Sequence, residues 1–352
     1  MEESIKPQAA APSSPQASAI QRKTLLNASG TDPNKILPIK YNWARAHYKK
    51  GVANNWVPEE VPMQDDIELW KRAGGLSDAE RRLILWNMGF FSTAESLTAN
   101  NIVLSVYKHL TNPECRQYLL RQAYEEAIHT DTFIYCCDSL GLNPDEVYTM
   151  YLTIPNIAAK DDFVVDMTKS IFNDSFKPDS PENIQRYVHD LIGYYVIMEG
   201  IFFYAGFVMM LSFKRQNRMV GVGTQFEYIL RDESVHLAFG SDLINGLVDE
   251  NPTIWTADFQ KEITDNVVKA VELEHAYAKD CLPEPLLGLN EKTIRQYLEY
   301  IADRRLERIR LAKVYGTPSP FPWMSEITDL KKEKNFFETT VTEYQTGGNL
   351  DW

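Results

Sequence analysis

The feature that most constrains this chain is a short turn that occurs twice, Glu126-Ala127-Ile128-His129 and Glu233-Ser234-Val235-His236, each preceded by one isolated glutamate. On a helix, residues three apart lie on one face, one turn from each other. The isolated glutamates are Glu95, which ends the run Phe90-Phe91-Ser92-Thr93-Ala94, and Glu199, the only charged residue between Leu191 and Phe213. The same order therefore appears twice: a lone acid in an apolar helix, then Glu-x-x-His on the next. A carboxylate stripped of water must be paired or placed on a cation, because desolvation costs several kcal/mol. Four glutamates and two histidines carry four negative charges, which two divalent cations balance.

This order of donors is that of the ferritin-like dimetal carboxylate bundles. Mixed carboxylate and imidazole ligands suit iron and manganese better than zinc. Spacing alone does not suffice, because the chain holds a third instance, Glu272-Leu273-Glu274-His275. That one sits among Lys269, Lys279 and Asp280 and predicts a solvated helix face. Each of the two informative histidines also has an acid four residues earlier, Glu125 and Asp232. Spacing leaves open which acid would hold a metal and which would accept a ring N–H and orient the imidazole; Asp232 suits the second task.

The rest of the chain predicts an all-α fold. Ser77-Asp78-Ala79-Glu80 is a capping box opening helix that continues to about Leu110. Asn112-Pro113 starts a helix that stops at Gly141, and further helices are expected near 143–151, 159–172, 181–216, 218–247, 253–280 and 291–313. Residues 1–30, rich in Ala, Ser, Pro and Gln, predict a disordered tail; 31–314 the helical domain, with 31–75 an arm laid on it; 315–352 an extended C-terminal tail. A net charge of −13 excludes a general binder of nucleic acid or anionic membranes. The four cysteines form no Cys-x-x-Cys pair, there is no N-terminal apolar run, and a reducing cytoplasm is the expected location. The run 191–213 is long enough to span a bilayer, but Glu199 at its middle makes a buried core helix the expectation.

Taken together, these stretches resemble the small, radical-generating subunit of class I ribonucleotide reductase. The resemblance covers the chain from about Ile36 to its end. It is carried by Asp66-Ile67-Glu68-Leu69-Trp70, the run ending at Glu95, Glu125 to Phe133, Glu199-Gly200-Ile201-Phe202-Phe203, Arg231 to His236, and Lys334-Asn335-Phe336-Phe337-Glu338. It implies one metal on Glu95, Glu126 and His129 and another on Glu199, Glu233 and His236. It implies a radical relay beginning at Trp56 and Asp232 through His129, an extra relay tyrosine at Tyr228, and a tail tyrosine, Tyr344, that passes the hole to the large subunit. It also implies a homodimer, O2 as oxidant, and docking of the tail on the large subunit.

One departure sets the subclass. Most members carry a tyrosine four residues after the first ligand histidine, whereas this chain has Phe133. Phenylalanine has no phenolic proton to lose, so it forms no phenoxyl radical. The pattern is similar to subclass Ic, the chlamydial type, which implies a manganese/iron pair that itself holds the oxidising equivalent; two irons with a relocated tyrosyl radical is the alternative. Two other functions fit a dimetal bundle: an oxidase acting directly on a lipid-like ligand, and non-catalytic iron storage. Neither has a use for Trp56 or for a tail bearing Tyr344.

Overall fold

The computed structural model describes residues 23–26, 36–98 and 103–324. Among these the regular structure is helical, and the only β pairing is an isolated bridge between Leu286 and Leu289. In chain order the helices are α1 (Asn42–Ala53), α2 (Gln64–Lys71), α3 (Asp78–Leu97), α4 (Val103–His109), α5 (Pro113–Leu140), α6 (Pro144–Val147), α7 (Met150–Thr153), α8 (Pro155–Met167) and α9 (Pro181–Leu191). A π-helical segment (Ile192–Phe202) follows, then α10 (Tyr204–Arg215), α11 (Val220–Glu250), α12 (Ala257–Cys281) and α13 (Glu291–Arg308).

Local chemistry sets the ends of the core helices. Ser77 caps α3 as the sequence predicts: its hydroxyl accepts the Glu80 N–H, and Glu80 accepts the Ser77 N–H at 2.8 Å. Asn112 accepts the N–H groups of Glu114 and Cys115 at the start of α5. Gly141 ends α5 at φ 67°, a left-handed conformation that costs glycine nothing. α11 is capped from a distance. Its own flanking residue, Met219, makes no side-chain cap, and Asp66 on α2 accepts the Val222 N–H at 2.7 Å. The Asp66 motif is therefore a tie between α2 and α11.

α3, α5, the π segment and α11 pack around the centre of the molecule. Their apolar faces join one continuous buried cluster rich in aromatic rings. The helix from Pro181 to Arg215 is long and apolar enough to cross a membrane, yet its apolar window is wholly buried inside the fold. It is a core helix, as expected from Glu199.

Four expectations need correction. The arm 31–75 contains two true helices, α1 and α2; α1 packs on α5 and α11, burying Ala44 and Gly51. Residues 23–26, assigned to a disordered tail, lie on the core: Leu25 is buried and the Lys23 ammonium sits 2.7 Å from Glu114. The first residues of the tail from 315 are also fixed, because Asp303 accepts the N–H groups of Val314, Tyr315 and Gly316, and Phe321 is buried. The helix from Pro181 is not α-helical throughout, since its middle winds as a π-helix.

Candidate metal centre

The six sequence-predicted donors converge. Glu95 comes from α3, Glu126 and His129 from α5, Glu199 from the π segment, and Glu233 and His236 from α11. All are buried to within 1%. They form two overlapping groups whose ligand atoms lie within 4.8 Å of one another: Glu95, Glu126, His129 and Glu233, and Glu126, Glu199, Glu233 and His236. Glu126 and Glu233 belong to both. Each group contains the three residues expected for one metal together with the motif glutamate of the other.

Both imidazoles turn the same way. His129 points Nδ1 at Glu233 (3.1 Å), Glu95 (3.4 Å) and Glu126 (3.6 Å). His236 points Nδ1 at Glu126 (3.1 Å), Glu233 (3.5 Å) and Glu199 (3.8 Å). Each Nε2 faces outward to a carboxylate, and the acids left open by spacing find their places crosswise. Asp232, on α11, faces His129 of α5 at 3.4 Å; Glu125, on α5, faces His236 of α11 at 2.9 Å. A carboxylate that accepts Nε2–H leaves the Nδ1 lone pair free for a metal.

Protein groups alone do not satisfy this cluster. Both oxygens of Glu95 and of Glu233, one oxygen each of Glu126 and Glu199, and Nδ1 of both histidines are buried without a hydrogen-bond partner. Burial pushes Glu95 well above the usual carboxylate range, and burial with the Glu233 charge does the same to Glu199. Although burial disfavours a charged ring, Glu95 and its neighbours hold His129 protonated far above the usual range, and Glu233 leads the same effect on His236. Buried carboxylates and imidazoles thus compete for protons across a few ångströms. Two divalent cations satisfy the orphaned oxygens and nitrogens together, so the donor set fits a dimetal site.

The surroundings of the two groups differ. Asp232 Oδ2 also accepts the Trp56 indole N–H at 2.7 Å, and the Trp56 and Tyr228 rings meet at 5.1 Å. Although burial would raise it, Asp232 is held below the usual range by His129, Arg231 and Trp56. Glu125 instead pairs with Arg121 at 2.9 Å. Phe133 is fully buried, with its ring 5.8 Å from Phe91 and 5.7 Å from Phe226. Tyr344 lies outside the described residues.

Sequence reading missed Gln122. It sits four residues before Glu126, one turn along the same face, and that spacing could have revealed it. Its amide donates to the Tyr194 hydroxyl (2.9 Å), to Glu199 (3.3 Å) and to Glu126 (3.5 Å), and accepts from Tyr195 at 3.0 Å. The third Glu-x-x-His was read only partly correctly. Glu272 pairs with Arg295 at the surface, and His275 faces Glu291 at 3.7 Å. Glu274, between them, is fully buried with Lys160 at 2.6 Å, and burial pushes it up to about 7 against that partner's pull.

Comparison with known proteins gives a consistent result. The family described as ribonucleotide reductase, small chain, matches residues 33–322. The chain is 59% identical over 333 residues, 95% of its own length and 96% of the relative's, to the ribonucleoside-diphosphate reductase subunit beta of Chlamydia pneumoniae. Among solved structures it resembles the ribonucleotide reductase R2 subunit of Clostridium botulinum, with TM-score 0.78, 27% identity, and 87% of this chain and 94% of that one covered. It also resembles the Rnr4 homodimer of Saccharomyces cerevisiae, with TM-score 0.69, 23% identity, and 89% and 90% covered.

Proposed function

The chain belongs to the ribonucleotide reductase small-chain family and is a subunit of a ribonucleoside-diphosphate reductase, and we propose that it is the radical-generating partner of the subclass that dispenses with a tyrosyl radical. Glu95 and His129 would hold one metal and Glu199 and His236 the other, with Glu126 and Glu233 between them. When bound, the pair, read as one manganese and one iron with two irons the alternative, supplies O2 activation and keeps the oxidising equivalent that makes a cysteine radical in the large subunit. The observation that carries the subclass is Phe133, closed in by the phenyl rings of Phe91 and Phe226 where relatives of the usual type place a phenol.

The protein's own work is to aim, to insulate and to conduct. Asp232 and Glu125 fix the imidazole tautomers. The rings around Phe133 close that flank with apolar packing, whereas a direct oxidase would need a deep apolar cavity reaching the metals. His129, Asp232 and Trp56 form an unbroken contact path outward, and Tyr228 extends it. A hole on Trp56 makes its N–H strongly acidic, and Asp232 Oδ2 stands in place to take or hold that proton. From there the relay would continue to Tyr344 in the C-terminal tail, which docks on the large subunit. The arm and tail have no use in iron storage. The reading has the protein in the cytoplasm as a homodimer, as the yeast Rnr4 neighbour is, with no nucleic-acid or membrane partner.

Metal quantitation with EPR on O2-exposed protein tests this. The expected result is manganese and iron in equal amounts and no tyrosyl radical that accounts for activity. Full activity with iron alone would overturn the manganese/iron reading. Tyr344→Phe should leave metal loading intact and abolish nucleotide reduction; retained turnover removes it from the relay.

A further inference from the structure

The π-helical segment is the least expected element of the core, because α-helical winding is the intrinsically better state and π turns occur mostly as single turns near functional sites. Glu199 lies inside it. A slip of one residue between π and α register rotates a side chain by about 100° about the helix axis. Such a slip would turn Glu199 away from His236. Something must therefore hold the register.

The ends of a helical segment leave backbone groups without ladder partners. Here the ladder breaks at Phe203: the π segment ends at Phe202, α10 begins at Tyr204, and α-type bonding resumes with Phe207 N–H to Phe203 O at 2.9 Å. Three buried charged side chains, from three other helices, meet this break. Arg305 of α13 donates Nε–H to the Gly200 carbonyl at 2.8 Å. Lys160 of α8 donates to the Phe202 carbonyl at 3.2 Å. Glu274 of α12 pairs with Lys160 at 2.6 Å and holds its ammonium at the break. Gly200 admits the guanidinium: a Cβ there would meet the Tyr195 carbonyl at 3.0 Å and Arg305 at 3.3 Å. Lys160 and Glu274 are 0% exposed and Arg305 3%. Well-packed apolar residues in their place are often neutral or stabilising, so buried charge of this kind is weakly explained by stability alone.

We propose that Lys160, Glu274 and Arg305 form a charged clasp that fixes the π-to-α junction at Phe203 and thereby aims Glu199 at the metal centre. They are positioning residues, acting through the backbone of the segment that carries Glu199. Glu274 is the buried residue within the third Glu-x-x-His turn. The clasp rests on the reading of Glu199 as a metal ligand.

Cobalt(II) titration of the full chain, followed by visible absorption, tests it without recourse to activity. In Glu274→Gln and Lys160→Met, one equivalent of cobalt should bind as in the unsubstituted protein, while the other binds about tenfold more weakly with shifted d–d bands. Lys23→Met, which breaks the buried Lys23–Glu114 pair elsewhere in the molecule, should lower Tm and change neither equivalent. If Glu274→Gln and Lys160→Met lower Tm but leave both equivalents and both spectra unchanged, the clasp is only scaffolding and the proposal falls. Should both variants fail to fold, Arg305→Lys, which keeps the charge and loses the aimed donor, is read in the same way. Failure of the unsubstituted protein to take up two cobalt ions overturns the reading of the site instead.

Discussion

The two halves of the metal centre are built from the same motif and differ in what lies behind each histidine. Behind His129, Asp232 is shared with the indole of Trp56, which continues to Tyr228. Behind His236, Glu125 is held by Arg121, which bonds onward to Asn55. An indole can be oxidised; a guanidinium cannot. The lone glutamates differ too. Neither Glu95 oxygen has a hydrogen-bond partner among the described residues, whereas Glu199 receives the Gln122 amide in a network with Tyr194 and Tyr195. One half therefore has no hydrogen bond to its lone carboxylate and an indole behind its histidine, and the other has an amide on its carboxylate and a guanidinium behind its histidine. A duplicated ligand motif does not produce a symmetric centre, because its environment comes from other helices.

The largest test of this difference is Trp56→Phe. It removes the shared N–H and should abolish nucleotide reduction with the large subunit while both metals still bind; surviving turnover would break the contrast. Glu125→Gln should act on binding instead. It should weaken metal uptake by about 10- to 100-fold, with turnover largely retained once the protein is loaded, as measured by metal titration and by assay at saturating metal. Equal damage to turnover would place a relay on both sides. Gln122→Leu strands the Tyr195 hydroxyl and removes the amide from Tyr194 and Glu199, and should cost about 1–3 kcal/mol in denaturant unfolding of the metal-free protein. Phe133→Tyr places a hydroxyl among phenyl rings and should cost about 1 kcal/mol. It should confer no gain in turnover; a large gain would mean that a tyrosyl radical is the better store in this fold.

Much of the site was legible because its signal is local. A spacing of three on a helix puts Glu126 beside His129 and Glu233 beside His236 wherever the helix goes. The isolation of Glu95 and Glu199 in apolar runs forecast their burial. Helix starts at Ser77 and Asn112 were readable from capping chemistry, and the structure has side-chain caps at both. Glu274 was misread because its neighbours in sequence are charged, while its neighbour in space, Lys160, comes from α8. The two arm helices were missed because each is short and the stretch around them carries Pro38, Pro58 and Pro62, and their stability comes from packing on α5 and α11.

The sequence by itself determined the six side chains that converge, the all-helical class, and the absence of a phenol at position 133. Tertiary structure decided how they are shared. Residue 125 meets 236 while 129 meets 232, so numbers rise along α5 as they fall along α11. Two helices crossing in that antiparallel sense give each histidine the other motif's acid, and bring Glu126 and Glu233 between the two sites. No one-dimensional spacing carries that information, because it depends on which faces of separate helices are buried together.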